Sequence, residues 1–177
     1  MFPQQVAELI ALFDGKLPDD SLARGVLLQP QIDTLPELWM LGLGSSDFGG
    51  LRAAQLGIRF AFAHFINAQV GHLVAEVYRE RFTPGHKEKP YLAAAIFVIC
   101  ADTDEEAQAL EKAVDLRRVQ MAYGLNQPIP SIEQGAAQQY GERERTVITH
   151  KKARSIIGTP EHVTEQMQIL QQRFVAD

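Results

Sequence analysis

The sequence predicts an α/β fold in which parallel strands are covered by helices, and three observations predict it. Strand-length segments are apolar along most of their length, as strands buried on both faces are. Amphipathic helical segments separate them, supplying the crossover that parallel neighbours require. The alternation recurs along the middle of the chain, which neither an all-α nor an all-β protein would show.

The elements follow in order. Val6, Leu9, Ile10 and Phe13 form one helical stripe within Phe2 to Phe13, and Gly15 stops it. Between Lys16 and Pro36 the prolines at 18, 30 and 36 predict irregular chain, with a β-rich excursion around Gly25 to Leu28. Glu37 to Leu43 predicts a short strand (Leu38, Trp39, Met40, Leu41) that breaks at Gly42-Leu43-Gly44-Ser45-Ser46, and Asp47 to Gln55 a short helix closed by Gly57. Arg59 to Phe65 reads as a strand. Ala68 to Phe82 reads as a helix with Val70, Leu73, Val74 and Val77 inward, ended by Pro84-Gly85.

Tyr91 to Cys100 predicts one further apolar strand. Thr103 and Glu106 have the spacing of a capping box, opening a helix that continues through Leu110 to Tyr123. Gly124 to Lys152 is polar and rich in Gln and Pro, which predicts a functional loop, a lid or a mobile segment. Thr159 as N-cap and Pro160 at the first position start a last helix, with Val163, Met167, Leu170 and Phe174 as its stripe.

Composition narrows the function classes. The 177 residues suit one domain, and the 46% hydrophobic and 22% charged fractions are those of a globular protein. A net charge of −5 with scattered basic residues argues against a nucleic-acid partner. Cys100 is the sole cysteine, so no intramolecular disulfide forms, and its place at the end of an apolar run predicts a small buried thiol. The longest apolar stretch, Leu92 to Ala101, falls far short of the roughly 20 residues that span a bilayer. The N-terminus lacks the charged start and apolar core of a signal peptide. A cytoplasmic protein without a membrane partner is expected.

The segment best suited to holding a ligand is Gly42 to Gly50, at the end of a strand and the head of a helix. Unpaired N–H groups and the helix dipole favour an anion there, and glycines let it approach the backbone closely. Ser45 and Ser46 add hydroxyl donors; a plain strand-to-helix turn capped by Ser46 is the competing reading. The dinucleotide fingerprint fails, because Asp47 stands where the third glycine belongs. The serine-hydrolase elbow is half matched, with Phe48 in place of its second glycine. Histidines 64, 72, 86, 150 and 162 include no helical zinc pair. His64 differs from the rest by ending an apolar strand, where barrel enzymes place ligand-facing residues; a structural histidine is the other reading.

The order of motifs resembles the bacterial-luciferase-like flavin monooxygenases. The resemblance is carried by Pro36-Glu37-Leu38-Trp39-Met40-Leu41-Gly42-Leu43-Gly44-Ser45-Ser46, by Arg52-Ala53-Ala54-Gln55-Leu56-Gly57 and by Phe60-Ala61-Phe62-Ala63-His64. Ala101 to Ala107 and Ile156-Ile157-Gly158-Thr159-Pro160-Glu161 look like later landmarks of the same family. One departure is an extra residue in Gly42-Leu43-Gly44.

The resemblance implies part of a (β/α)₈ TIM barrel, with parallel strands 5 to 7 at Leu38–Leu41, Phe60–His64 and Tyr91–Cys100 and helices covering them. It implies a loosely held, exchangeable reduced FMN, a small organic substrate and O₂, with a flavin reductase as the source of reduced FMN. Gly44, Ser45, Ser46 and Gly49 would bind the flavin phosphate, and His64 would act catalytically near the ring or substrate. Gly124 to Lys152 would be a variable region near the barrel mouth. Four further βα units would precede this segment and the eighth strand would follow Asp177, so a homo-oligomer or a separate N-terminal half is expected to complete the barrel. The alternative is a non-catalytic flavin- or phosphate-binding module on the same scaffold.

Overall fold

The computed structural model describes residues 2–30, 34, 36–43 and 47–177 of the chain. Helix α1 (Phe2–Phe13) leads to β1 (Trp39–Gly42), α2 (Phe48–Gln55), β2 (Arg59–Ala63), α3 (Gly71–Glu80) and β3 (Leu92–Ala95). After them come β4 (Phe97–Cys100), α4 (Asp104–Ala122), α5 (Ile132–Ala137), α6 (Glu142–Lys152), β5 (Ser155–Gly158) and α7 (Pro160–Phe174). Strands β1, β2 and β3 form a parallel sheet in that order, with Met40 opposite Phe60 and Phe60 opposite Leu92. Strands β4 and β5 form a second parallel pair. The α/β class and the parallel sheet are therefore as the sequence predicts.

Four features differ. The single strand expected over Tyr91–Cys100 is interrupted at Ile96: its first half pairs with β2 and its second with β5. Changing partners along one strand requires the break, and an unbroken apolar run carries no sign of it. The next strand, expected beyond Asp177, is instead β5, four residues following directly on a polar helix. Gly124 to Lys152 is not one irregular excursion but holds α5 and α6, and the Gly25–Leu28 excursion is turn and coil, not strand.

The core lies on one face of the three-stranded sheet. Met40, Phe60, Phe62 and Leu92 point to α2 and α3 and pack with Ala53, Ala54, Val74, Tyr78 and Phe174. Burial of these side chains is the main stabilising term, each large one contributing about 1.5–3 kcal/mol. The α3 stripe departs from its expected inward set at Leu73, which is exposed; Val74 is buried as expected, and Gly71, Ala75 and Tyr78 are buried with it. The reason is Tyr78, whose hydroxyl donates to the Ile58 carbonyl at 2.9 Å and accepts from the Tyr91 amide at 3.0 Å. That hydroxyl thereby ties the start of β2 to the start of β3. Met167 and Leu9 are likewise exposed members of otherwise inward stripes.

Cys100 is exposed, contrary to the buried thiol expected, because in β4 only Ile99 is buried. The caps follow the sequence: Thr103 accepts the Glu106 amide, and Thr159 the His162 amide ahead of α7. The opposite face of the sheet carries Trp39 and Leu41, both exposed, beside the alanine pairs Ala61–Ala93 and Ala63–Ala95.

A buried charge cluster fixes the junction between α6 and β5. Asp115 on α4 binds Arg118 at 2.8 Å, and Arg118 reaches the Ser155 hydroxyl at 2.6 Å. Lys152 closes on Glu111 at 2.8 Å. Burial pushes the Asp115 carboxyl above its ordinary pKa even with Arg118 and Lys152 drawing it down, so these contacts position the junction while adding little net stability.

Candidate functional site

Parallel register brings the carboxyl ends of β1 and β2 side by side, with Gly42 opposite Phe62. Helix α2 begins immediately beyond this rim, and Asp47 is its N-cap without a side-chain capping bond. The Leu51 amide donates to the Asp47 carbonyl, so the amides of Phe48, Gly49 and Gly50 precede the intrahelical ladder. Of the four residues expected to hold a phosphate, Gly49 sits in this first turn; Gly44, Ser45 and Ser46 lie outside the described residues.

The glycines here have packing reasons. A Cβ on Gly42 would stand 2.6 Å from the Phe60 ring, and one on Gly50 would stand 2.8 Å from the Val74 side chain. Gly49 is looser: its Cβ would meet Gly42 Cα at 3.4 Å. The Phe60 ring of β2 therefore accounts for Gly42, and the close approach of α3 to α2 at Val74 for Gly50.

Beside the rim is a cavity of about 340 Å³ between the loop after β2 and the α6–β5 junction. Leu43, Asn67, Gln69, His150 and Arg154 line it, and among its described lining residues none is acidic. The loop is shaped locally by the Asn67 side chain, which accepts the Gln69 amide at 3.0 Å. Arg154 crosses the cleft: one guanidinium nitrogen donates to the Ile66 carbonyl and the other contacts the His150 ring at 3.0 Å. Sequence reasoning missed Arg154, Asn67 and Gln69, because only the fold places the start of β5 against the loop after β2.

His64 follows β2 directly, on the side of Phe60 and Phe62 that faces the helices. Its ring stands edge-on to Phe174 of α7 at 5.6 Å and is buried. Burial first, and then the positive charge of Arg173, holds its pKa below the ordinary imidazole value, so it is neutral at pH 7. Its Nδ1 has no hydrogen-bond partner among the described residues. It lines a second cavity, of about 540 Å³, with Gln166 and Arg173. The two cavities share Ala68, Gln69 and Ala153. His64 and Gly49 thus belong to one end of the sheet without being in contact.

Among the described residues, no cluster of three or more His, Cys, Asp or Glu could hold a metal ion, and no helix is long and apolar enough to cross a membrane.

Residues 13–177 match the model of a family described as luciferase-like monooxygenase. YceB of Bacillus subtilis (strain 168) is 38% identical over 167 residues, which are 94% of this chain and 50% of that protein. The N-acetyl-S-alkylcysteine monooxygenase of the same strain is 30% identical over 168 residues, 94% of this chain and 49% of the relative. A luciferase-like monooxygenase of Escherichia coli (strain K12) is 28% identical over 183 residues, covering 99% and 51% respectively. The chain thus spans about half the length of the curated relatives it matches. The crystal structure of apo-MsnO8 superposes with a TM-score of 0.78 at 24% identity, covering 99% of this chain and 52% of that one, which establishes a shared fold.

Proposed function

The chain belongs to the luciferase-like monooxygenases, and from that premise we propose that it forms the phosphate-holding side of an FMN site in a flavin-dependent monooxygenase. The observation that supports the reading best is the rim itself. Parallel β1 and β2 end beside the head of α2, next to a cleft whose polar groups are amides, an imidazole and a guanidinium. Such a donor set, without a carboxylate among the described lining, suits a phosphate.

Gly44, Ser45, Ser46 and Gly49 are proposed to hold that phosphate through backbone amides and the two hydroxyls. The face carrying Trp39, Leu41 and the alanine pairs is low at the alanines, while Arg59 stacks on the Trp39 and Tyr91 rings at its other end, and it would be the inside of a (β/α)₈ barrel completed by further βα units. Bound FMN, once reduced, would supply the reaction with O₂; the protein's share is position and exclusion of water. Substrate reaching from the cleft into the adjoining cavity would pass His64, which lines that cavity on the helix-facing side. A flavin reductase would deliver reduced FMN.

The test is incubation of the protein with chemically reduced FMN, ¹⁸O₂ and a panel of small organic acceptors, read by mass spectrometry. The expected result is one ¹⁸O atom in a product, dependent on protein and flavin. Flavin binding with no labelled product would favour the alternative, a flavin-binding module without turnover. Absence of flavin binding would remove both readings.

A further inference from the structure

We propose that Arg154 is the residue that distinguishes a flavin carrying a phosphate from one without it, an inference that rests on the flavin reading above and assigns its phosphate grip a fixed charge. A phosphate held by amides and hydroxyls gains directional bonds, and a fixed positive charge beside them adds a charge-assisted contact. At this rim the helix terminus is further offset, because Asp47 already places a carboxylate at the head of α2. A cation must therefore come from elsewhere. Of the residues lining the cavity next to Leu43, Arg154 carries the permanent charge, since a guanidinium stays protonated at any physiological pH.

Its placement is prepared in advance. One nitrogen is anchored on the Ile66 carbonyl and the other contacts the His150 ring, while the junction behind it is held by Arg118 on Ser155 and Lys152 on Glu111. A side chain so restrained loses less entropy on binding an anion than a free surface arginine would. The anchors leave further guanidinium donors of its five for a ligand. Gln69 stands across the same cleft with a side-chain amide that can complete the set. The bland role for Arg154, a tether between the loop after β2 and the start of β5, predicts equal effects on every ligand of the site. A phosphate-reading role predicts an effect on one ligand only.

Oxidised FMN and riboflavin, which share the ring and ribityl chain and differ by the phosphate, separate these roles. Each is titrated into the full chain by quenching of flavin fluorescence, for wild type, Arg154→Gln and Arg154→Lys, with thermal melts checking that each variant is folded. We expect wild type to prefer FMN by on the order of tenfold to a hundredfold, the range for a charge-assisted contact. Arg154→Gln should lose most of that preference with riboflavin affinity unchanged, and Arg154→Lys should retain part of it. A preference for FMN that survives in Arg154→Gln overturns the role of Arg154 and leaves the flavin reading standing. Equal weakening of both flavins makes Arg154 a tether and overturns the proposal too. A wild type that shows no preference, or binds neither flavin, brings down the phosphate reading and the inference with it.

Discussion

Replacing Gly57 by alanine is expected to destabilise the protein by about 2–5 kcal/mol, the sum of a backbone term and a packing term. Gly57 has a φ of 58° and ends α2: its amide donates to the Ala54 carbonyl and the Ile58 amide to the Ala53 carbonyl. This left-handed cap is what turns the chain from α2 into β2. An L side chain there costs about 1–2 kcal/mol before any contact is counted. The contact is also unfavourable, because a Cβ would stand 2.4 Å from the Gly85 amide nitrogen and 2.7 Å from the Thr83 carbonyl oxygen. Those atoms are backbone and cannot rotate away. The Thr83 amide bonds Ala54 and the Lys87 amide bonds the Gly57 carbonyl, so the whole 83–87 turn would have to move. Urea denaturation of Gly57→Ala measures the loss; a change below about 1 kcal/mol would show that the two segments are less closely joined than described.

Phe174→Ala is expected to cost about 3–5 kcal/mol, as fully buried aromatic truncations do. Phe174 is 2% exposed and is the residue through which α7 joins the core. Its ring packs at 5.7 Å from Phe62 and at 5.6 Å from His64. It also fills the space above Gly71, where a Cβ would come within 2.5 Å of it. Leu170 packs against the margin of the same core, Val163 is buried near the start of α7, and just beyond the helix Asp177 both donates to the Leu92 carbonyl and accepts its amide. Truncation should therefore free α7 before the rest of the fold opens. Hydrogen exchange would show α7 amides losing protection while β1–β3 keep theirs. Uniform loss across the sheet would contradict this order.

Much of the fold was legible because local physics and tertiary structure agree. Gly57 closes α2, Thr103 and Thr159 cap their helices, and the apolar segments pair as parallel strands. What was not legible depends on partners distant in sequence. The break at Ile96 arises because β3 and β4 pair with different neighbours, and the apolar run has no glycine or proline to mark it. Strand β5 is four residues long and starts directly after a charged helix, too short for a period to be read. Tyr78 was masked by a more hydrophobic set on α3; its hydroxyl's donated bond to Ile58 and accepted bond from Tyr91, at the β2 and β3 starts, determine which face turns inward.

The site divides in the same way. The glycine-serine turn was visible as a motif, yet Gly42 and Gly50, which bound that segment, are explained by Phe60 and Val74 packing against them. His64 was visible because it ends a strand, but which layer its ring enters is decided by Phe174, some hundred residues later in the chain. Arg154 had no local signature at all, being the last of a basic run at the end of α6.

The central claim is spatial: the flavin's phosphate lies at the carboxyl ends of β1 and β2. Backbone amide NMR during titration with FMN tests it most directly. The account predicts that the largest shifts fall on Leu43, Phe48 and Gly49 and on Asn67 to Gln69, and that riboflavin reproduces few of them. Shifts gathered at the opposite strand ends, around Trp39, Arg59 and Leu92, would contradict it.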